Sequence, residues 1–135
     1  MRGREYALPV GAVRGMIELR GAESRVLAQG AAGERIALVD GRAMPLVDLH
    51  ALLRIRPQPV TARTCLVLAA YPEDDIRPSF AFVADSISRI EKVHARDYRT
   101  DASEEWIEAR IKLGEKWRGV LSLARMAQCR GSRAA

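Results

Sequence analysis

RIALVDGRAMPLVDLHALL, residues 35–53, is the stretch on which the rest of the chain is read. Ile36-Ala37-Leu38-Val39 is aliphatic and partly β-branched, and predicts a strand. Asp40-Gly41 predicts a two-residue hairpin turn. A type I′ turn needs positive φ at both central positions, which Asp tolerates and Gly adopts freely. Residues 42–47 then return as the second strand. Pro45 has no N–H to give to a ladder and is expected at an edge or a bulge. Asp48 opens a short helical stretch, residues 49–53, as an N-cap whose carboxylate accepts from the free backbone N–H groups of the first turn.

Outward from this segment, a periodicity of two dominates. Tyr6, Leu8 and Val10 alternate, and a short apolar stretch covers residues 13–19. Residues 20–34 are rich in Gly and Ala and read as a weakly structured loop. Downstream, Pro57-Gln58-Pro59 predicts a connection between two lobes. Residues 63–70 predict a buried strand, and residues 71–79, with two prolines and three acids, an exposed loop. Residues 80–87 predict a strand, followed closely by 88–95, and residues 96–104 a polar connection. From Trp106 to Leu113 the alternation is clean: Ile107, Ala109, Ile111 and Leu113 share one face, and Trp106, Glu108, Arg110 and Lys112 the other. Gly114-Glu115 turns this strand into residues 116–121, and Ser122 is placed to cap a terminal helix running to Gln128. Many short strands at this spacing point to a barrel or a sandwich.

The chain has 135 residues, enough for one compact domain, including one made of two small lobes. Hydrophobic residues make up 48% and aromatics only 5%, so a core must be built mostly from aliphatics. The formal net charge of +5 raises a second class of function, a small basic β-barrel that binds nucleic acid. The cations, however, are nearly all Arg, scattered from Arg2 to Arg133, with Lys only at Lys92, Lys112 and Lys116. A nucleic-acid footprint is clustered, so no nucleic-acid partner is expected. The start of the chain has no apolar stretch behind its charges, as a signal peptide would. No apolar run approaches the roughly 20 residues that span a bilayer. A cytoplasmic location without direct membrane insertion is the expectation.

The residues that could carry chemistry have local explanations. His50 and His94 lie in different elements, without the close ligand pairs of a zinc site, so no metal and no cofactor is expected. Cys65 sits in the apolar run Cys65-Leu66-Val67-Leu68-Ala69-Ala70 and reads as a buried reduced thiol, 64 positions from Cys129. Asp40 reads as a turn residue, Asp48 as a cap, and Asp85 as a residue at a strand bend, so no catalytic residue is assigned. Nucleotide and hydrolase fingerprints are missing, and Gly30 to Gly33 lacks phosphate-loop spacing. Trp106 and Trp117 read as packing or protein-contact residues, having no basic run beside them.

Four pieces in this order resemble the CheW-like domain family over most of the chain, from Tyr6 to Met126. They are Tyr6-Ala7-Leu8-Pro9-Val10; Gly41, three residues, Pro45, Leu46-Val47 and Asp48-Leu49; Phe82-Val83-Ala84-Asp85-Ser86-Ile87; and Val120-Leu121-Ser122-Leu123 running into Ala124-Arg125-Met126. The resemblance implies a mainly β fold of two small SH3-like five-stranded barrel lobes with short helices. One lobe lies around residues 13–56 and the other around 64–121, with an N-terminal strand and a C-terminal helix completing a single domain over 1–135. It implies a non-catalytic signalling adaptor that links the regulatory domain of a CheA-type histidine kinase to the cytoplasmic tip of methyl-accepting chemotaxis receptors, in arrays at the inner membrane. On the kinase side it points to Ile36, Leu38, Asp40, Gly41 and Arg42. For the receptor, lying in a groove between lobes, it points to Gly15, Met16, Val83 and Ala84.

The chain departs from the family pattern in places. Asp40 stands where Arg is common, Gly15 where Glu is common, and Ala28 and Arg35 where a Pro and a Gly usually precede the hairpin. An inverted charge changes the choice of partner, which fits a specialised pathway such as the chemosensory control of type IV pili. As a surface change, Asp40→Arg is expected to leave stability within about 0.5 kcal/mol.

Overall fold

The computed structural model describes residues 5–88, 90–101 and 103–128. Its organising hairpin is the one expected. β4 (Arg35–Val39) and β5 (Arg42–Val47) pair in the register Val39↔Arg42, Leu38↔Ala43, Ala37↔Met44 and Ile36↔Pro45 (strand numbers follow chain order). Asp40 and Gly41 between them have φ of 51° and 76°, the two positive values that a type I′ turn needs.

β5 is not an edge strand, as Pro45 suggested, but an inner strand of its sheet. Pairs alternate between hydrogen-bonded and non-hydrogen-bonded along an antiparallel ladder. Counted from the turn, Ile36↔Pro45 falls on a non-hydrogen-bonded pair, so β4 asks no donor of Pro45. On the other side, the parallel pairing of β5 begins only at Leu46. The chain then enters α2 (Leu49–Leu53). Asp48 caps it by accepting from the Ala51 N–H at 3.1 Å, and Arg35 Nη1 lies 3.2 Å from the other Asp48 oxygen.

The hairpin belongs to a six-stranded sheet of order β2 (Val13–Glu18), β6 (Cys65–Ala69), β7 (Phe80–Ala84), β5, β4 and β3 (Leu27–Gln29). β3 and a one-turn helix α1 (Glu23–Val26) arise inside residues 20–34, where a loop was expected. Elements of three and four residues are too short to show a period. What holds them is burial of Ala22 and Val26 and the pairing of β3 with β4.

The second sheet has four strands in the order β1 (Tyr6–Ala7), β10 (Lys116–Leu121), β9 (Ile107–Leu113) and β8 (Tyr98–Thr100). Parallel pairing of β1 with β10 ties the start of the described chain to its end. The alternation of β9 is as expected, with Ile107, Ala109 and Ile111 buried. Among the described residues of 88–95 no strand forms, and β8 arises instead in the stretch expected to be a polar connection. Cross-strand pairing with β9, rather than any apolar pattern of its own, makes residues 98–100 a strand. Ser122 precedes α3 (Leu123–Gln128), its Oγ 3.4 Å from the Arg125 N–H.

Among the described residues the chain is thus mainly β with short helices, as expected, in sheets of six and four strands. The strands within residues 64–121 are shared between them: β6 and β7 join the sheet of the hairpin, and β8, β9 and β10 the other. Pro57-Gln58-Pro59 therefore does not separate the sheets but leads from α2 to β6, and residues 85–97 make the crossing. β6 and β7 are covered on both faces, which explains their unbroken apolar runs. On one face Leu66, Leu68 and Ala81 meet Ala37, Met44 and Leu46. On the other, Val67, Ala69, Phe80 and Phe82 meet Ile107, Leu121, Leu123 and Met126 of the second sheet and α3.

Candidate functional site

Between the two sheets, beside this shared core, lies an apolar cleft of about 590 Å³. β2 contributes Val13 and Met16, and β7 contributes Phe82, Val83 and Ala84. Leu49, His50 and Leu53 of α2 close one side, and Tyr6, Tyr98, Ile111 and Val120 come from the four-stranded sheet. The crossing segment adds Ile87 and Ile90. Most large apolar side chains that the fold leaves in water collect here: Val10 is 58% exposed, Met16 56% and Ile90 77%, with Ile87 and Tyr98 also exposed. Scattered exposed apolar residues need no explanation, whereas a contiguous set around a concavity marks an interaction surface.

His50 and Asp85 meet at the wall of this cleft. His50 Nε2 lies 3.0 Å from Asp85 Oδ1, and both groups are partly buried. The pair fastens α2 to the end of β7. Sequence reasoning missed it, because 35 positions separate the two residues and only the pairing of β5 with β7 brings them together. Arg118 and Glu5, which also line the cleft, form an ion pair, with Arg118 Nε 2.8 Å from Glu5 Oε1.

Of the four residues expected in a groove, Met16, Val83 and Ala84 do line the cleft. Gly15 does not. It pairs with Leu68 and faces the other side of the sheet, where a Cβ would stand 3.3 Å from Leu68 Cδ1. The five hairpin residues lie together, away from the cleft. Leu38, 39% exposed, and half-buried Ile36 point outward from β4, while Ala37 points into the core. Asp40, Gly41 and Arg42 form the exposed tip.

Other groups singled out earlier have structural roles. Cys65 is half-buried, and burial pushes its thiol pKa up, as suits an inert reduced thiol. On the outward face of the four-stranded sheet, Arg99 stacks over Trp117 at 4.3 Å from the ring centroid. Across from Arg99, Arg110 bonds to Asp101 at 2.8 Å and to Glu104 at 2.7 Å. Hydrogen bonds from Ser103, with Arg110 beside it, hold the Asp101 carboxyl down at about 2. The aromatic face and the arginine charge are thus engaged within the chain, unlike a bare basic stacking platform. Among the described residues, no group of three or more His, Cys, Asp or Glu side chains is placed to hold a metal ion. No described helix is long and apolar enough to cross a membrane.

What this arrangement can do chemically is bury the apolar face of another chain, in a cleft whose walls are two β-sheets and a short helix. The fold and the cleft define a protein-docking β domain. The chain belongs to the CheW-like domain family, whose model matches residues 1–129. The crystal structure of the scaffolding protein TtCheW from Thermoanaerobacter tengcongensis has a similar fold, with a TM-score of 0.71 at 12% identity over 91% of this chain and 84% of that chain. No curated protein sequence matches the chain.

Proposed function

We propose that this domain is a non-catalytic chemosensory scaffold, which couples the regulatory domain of a CheA-type histidine kinase to the cytoplasmic tip of methyl-accepting receptors. The observation that carries the reading is the collection of exposed apolar side chains around one cleft in a member of the CheW-like family. Its volume also lies in the range of small-molecule pockets. A small ligand enclosed by the cleft, however, would leave Val10, Met16 and Ile90 at the rim in water, while the apolar face of a helix laid along it covers them. The receptor therefore docks in the cleft, against Met16, Val83 and Ala84. The kinase docks on the outward side of the hairpin, against Ile36, Leu38 and the tip at Asp40, Gly41 and Arg42. Asp40 at that tip selects a basic residue on the kinase, which favours a specialised pathway such as type IV pilus control, with the protein held at cytoplasmic receptor arrays.

Titration calorimetry with the kinase regulatory domain and with a receptor-tip fragment tests this. Met16→Glu, on an exposed rim position, is expected to weaken receptor binding at least tenfold and leave kinase binding intact. Asp40→Asn is expected to do the reverse, more strongly at low salt. Binding of neither partner, or loss of both with Met16→Glu alone, would overturn the reading.

A further inference from the structure

The cleft is apolar over most of its surface, yet an arginine stands on its wall. Arg118 lies on β10 two residues before buried Val120, on the same face of the strand, and its cross-strand neighbour is buried Ile111. Tyr98 of β8 continues the row, and all four residues line the cleft. The arginine side chain is only 22% exposed. Among the described residues the one polar group it meets is Glu5, whose own side chain is 59% exposed. That contact is close, at 2.8 Å, but lies off the line of the Nε–H bond, so the buried Nε is left without a hydrogen bond. No other buried side-chain nitrogen or oxygen among the described residues is in this position.

A guanidinium carries five N–H donors in a fixed fork and no acceptor. Buried donors without a partner are rare in folded proteins, and each asks for a cause. Fastening β1 to β10 is not that cause, because the backbone already pairs Tyr6 with Gly119 and Ala7 with Val120. Packing is not the cause either, since Ile111 and Val120 are aliphatic and a methionine would cover them without a charge. The other charged groups of the cleft do not supply the acceptor. Asp85 meets His50 on the wall made by β7 and α2, and Glu91 has a contact of its own. While the cleft is open, water reaches part of the guanidinium. A wholly apolar helix laid over it would exclude that water and leave most of the fork unmet, which opposes binding.

We propose that Arg118 is a specificity-determining residue of the cleft, which receives a carboxylate carried within the apolar face of the docked helix, in place of Glu5. The inference rests on the reading of the cleft as the receptor site and deepens it. It requires of the receptor tip an Asp or Glu flanked by apolar residues three or four positions away, which cover the apolar rim. Two parallel N–H···O bonds from the fork fix the register of the helix, as a point charge could not. A helix of the same apolar pattern without the acid is rejected by the unmet fork. Glu5 holds the arginine in the free domain and, being exposed, moves aside easily.

Titration calorimetry of the full chain with the receptor-tip fragment tests this, because removing the charge has opposite effects under the two accounts. If Arg118 has no partner on the receptor, Arg118→Met spares the desolvation of a cation and tightens binding. Under the proposal it weakens binding at least about tenfold, since a buried carboxylate loses its donors. Arg118→Lys, which keeps the charge without the fork, is expected to fall between Arg118→Met and the wild type. Glu5→Gln removes the competing acid and is expected to tighten binding about threefold, as suits an exposed pair. Changing the acids of the fragment one at a time to their amides identifies the partner and leaves this chain intact. One such change is expected to weaken binding as much as Arg118→Met does, and to have no further effect on the Arg118→Met protein. Wild-type binding that Arg118→Met leaves unchanged or tightens overturns the inference and leaves the receptor reading standing. So does a fragment whose acids can all be neutralised without loss. A wild-type chain that does not bind the fragment overturns the receptor reading, and the inference with it.

Discussion

The β4–β5 hairpin and the cleft between the sheets both present apolar side chains to water, but they are held in place by different means. The hairpin is a local object. Two backbone conformations at Asp40 and Gly41, a register counted from the turn, and one capping carboxylate at Asp48 suffice to place Leu38 and the tip. The cleft has no local cause. Its walls come from residues as far apart as Tyr6 and Leu121, and they stay apart at one spacing because a shared core of Val67, Phe80, Phe82, Ile107, Leu121 and Met126 joins the sheets beneath them. A surface made by a turn tolerates exchange of every side chain that the turn does not need. A surface made by packing depends on side chains that never touch the partner.

The largest effect should separate the two regions most plainly. Phe82→Ala removes a ring that is 1% exposed from the contact between sheets, and is expected to cost about 3–5 kcal/mol. Because the core is shared, calorimetry should still show one transition, with both sheets lost together. Two transitions would mean that the sheets fold separately and that the cleft is a junction between independent units.

Gly41→Val comes next, with an expected loss of about 2 kcal/mol in denaturant unfolding. At φ 76° nothing lies within 4 Å of an added Cβ, so the loss is backbone strain alone. Gly41→Ala should show a smaller loss of the same sign, and a neutral Gly41→Val would refute the local account of the hairpin. For Asp48→Ala the expected cost is about 1 kcal/mol, from the lost cap. Asp48→Asn, which keeps an acceptor but loses the charge facing Arg35, should cost less, and thermal melts of the pair resolve the two contributions.

At Asp40 the structure corrects the expectation that an arginine would be neutral. With φ at 51°, Asp40→Arg forces a long side chain into the left-handed region and is expected to cost up to about 1 kcal/mol. Asp40→Asn, which favours the same region, should stay within about 0.5 kcal/mol. Asn, not Arg, is therefore the substitution that separates charge from fold in a kinase-binding measurement. The smallest effect concerns the end of α2, where Arg54 takes φ 57°. Arg54→Gly should stabilise by a few tenths of a kcal/mol, the relief of left-handed strain being partly offset by the greater freedom of glycine when unfolded.

The parts of this protein visible in its sequence are those set by forces acting over a few residues: positive φ at Asp40-Gly41, the Asp48 and Ser122 caps, and the two-residue alternation of β9. The ordered spacing of such pieces was also enough to recognise the family. The rest depended on where elements lie in space. β3 exists because β4 offers free backbone groups, not because Leu27-Ala28-Gln29 favours extension, and β8, although Tyr98 and Thr100 suit a strand, is too short to declare itself without its pairing to β9. Met16 lines the cleft while Gly15 beside it does not, because a strand sends successive side chains to opposite faces, and only the pairing with β6 shows which face looks toward the second sheet. The meeting of His50 with Asp85 is likewise a product of sheet order. That order is decided by the burial of β6 and β7 on both faces, a long-range packing that no window of the sequence contains.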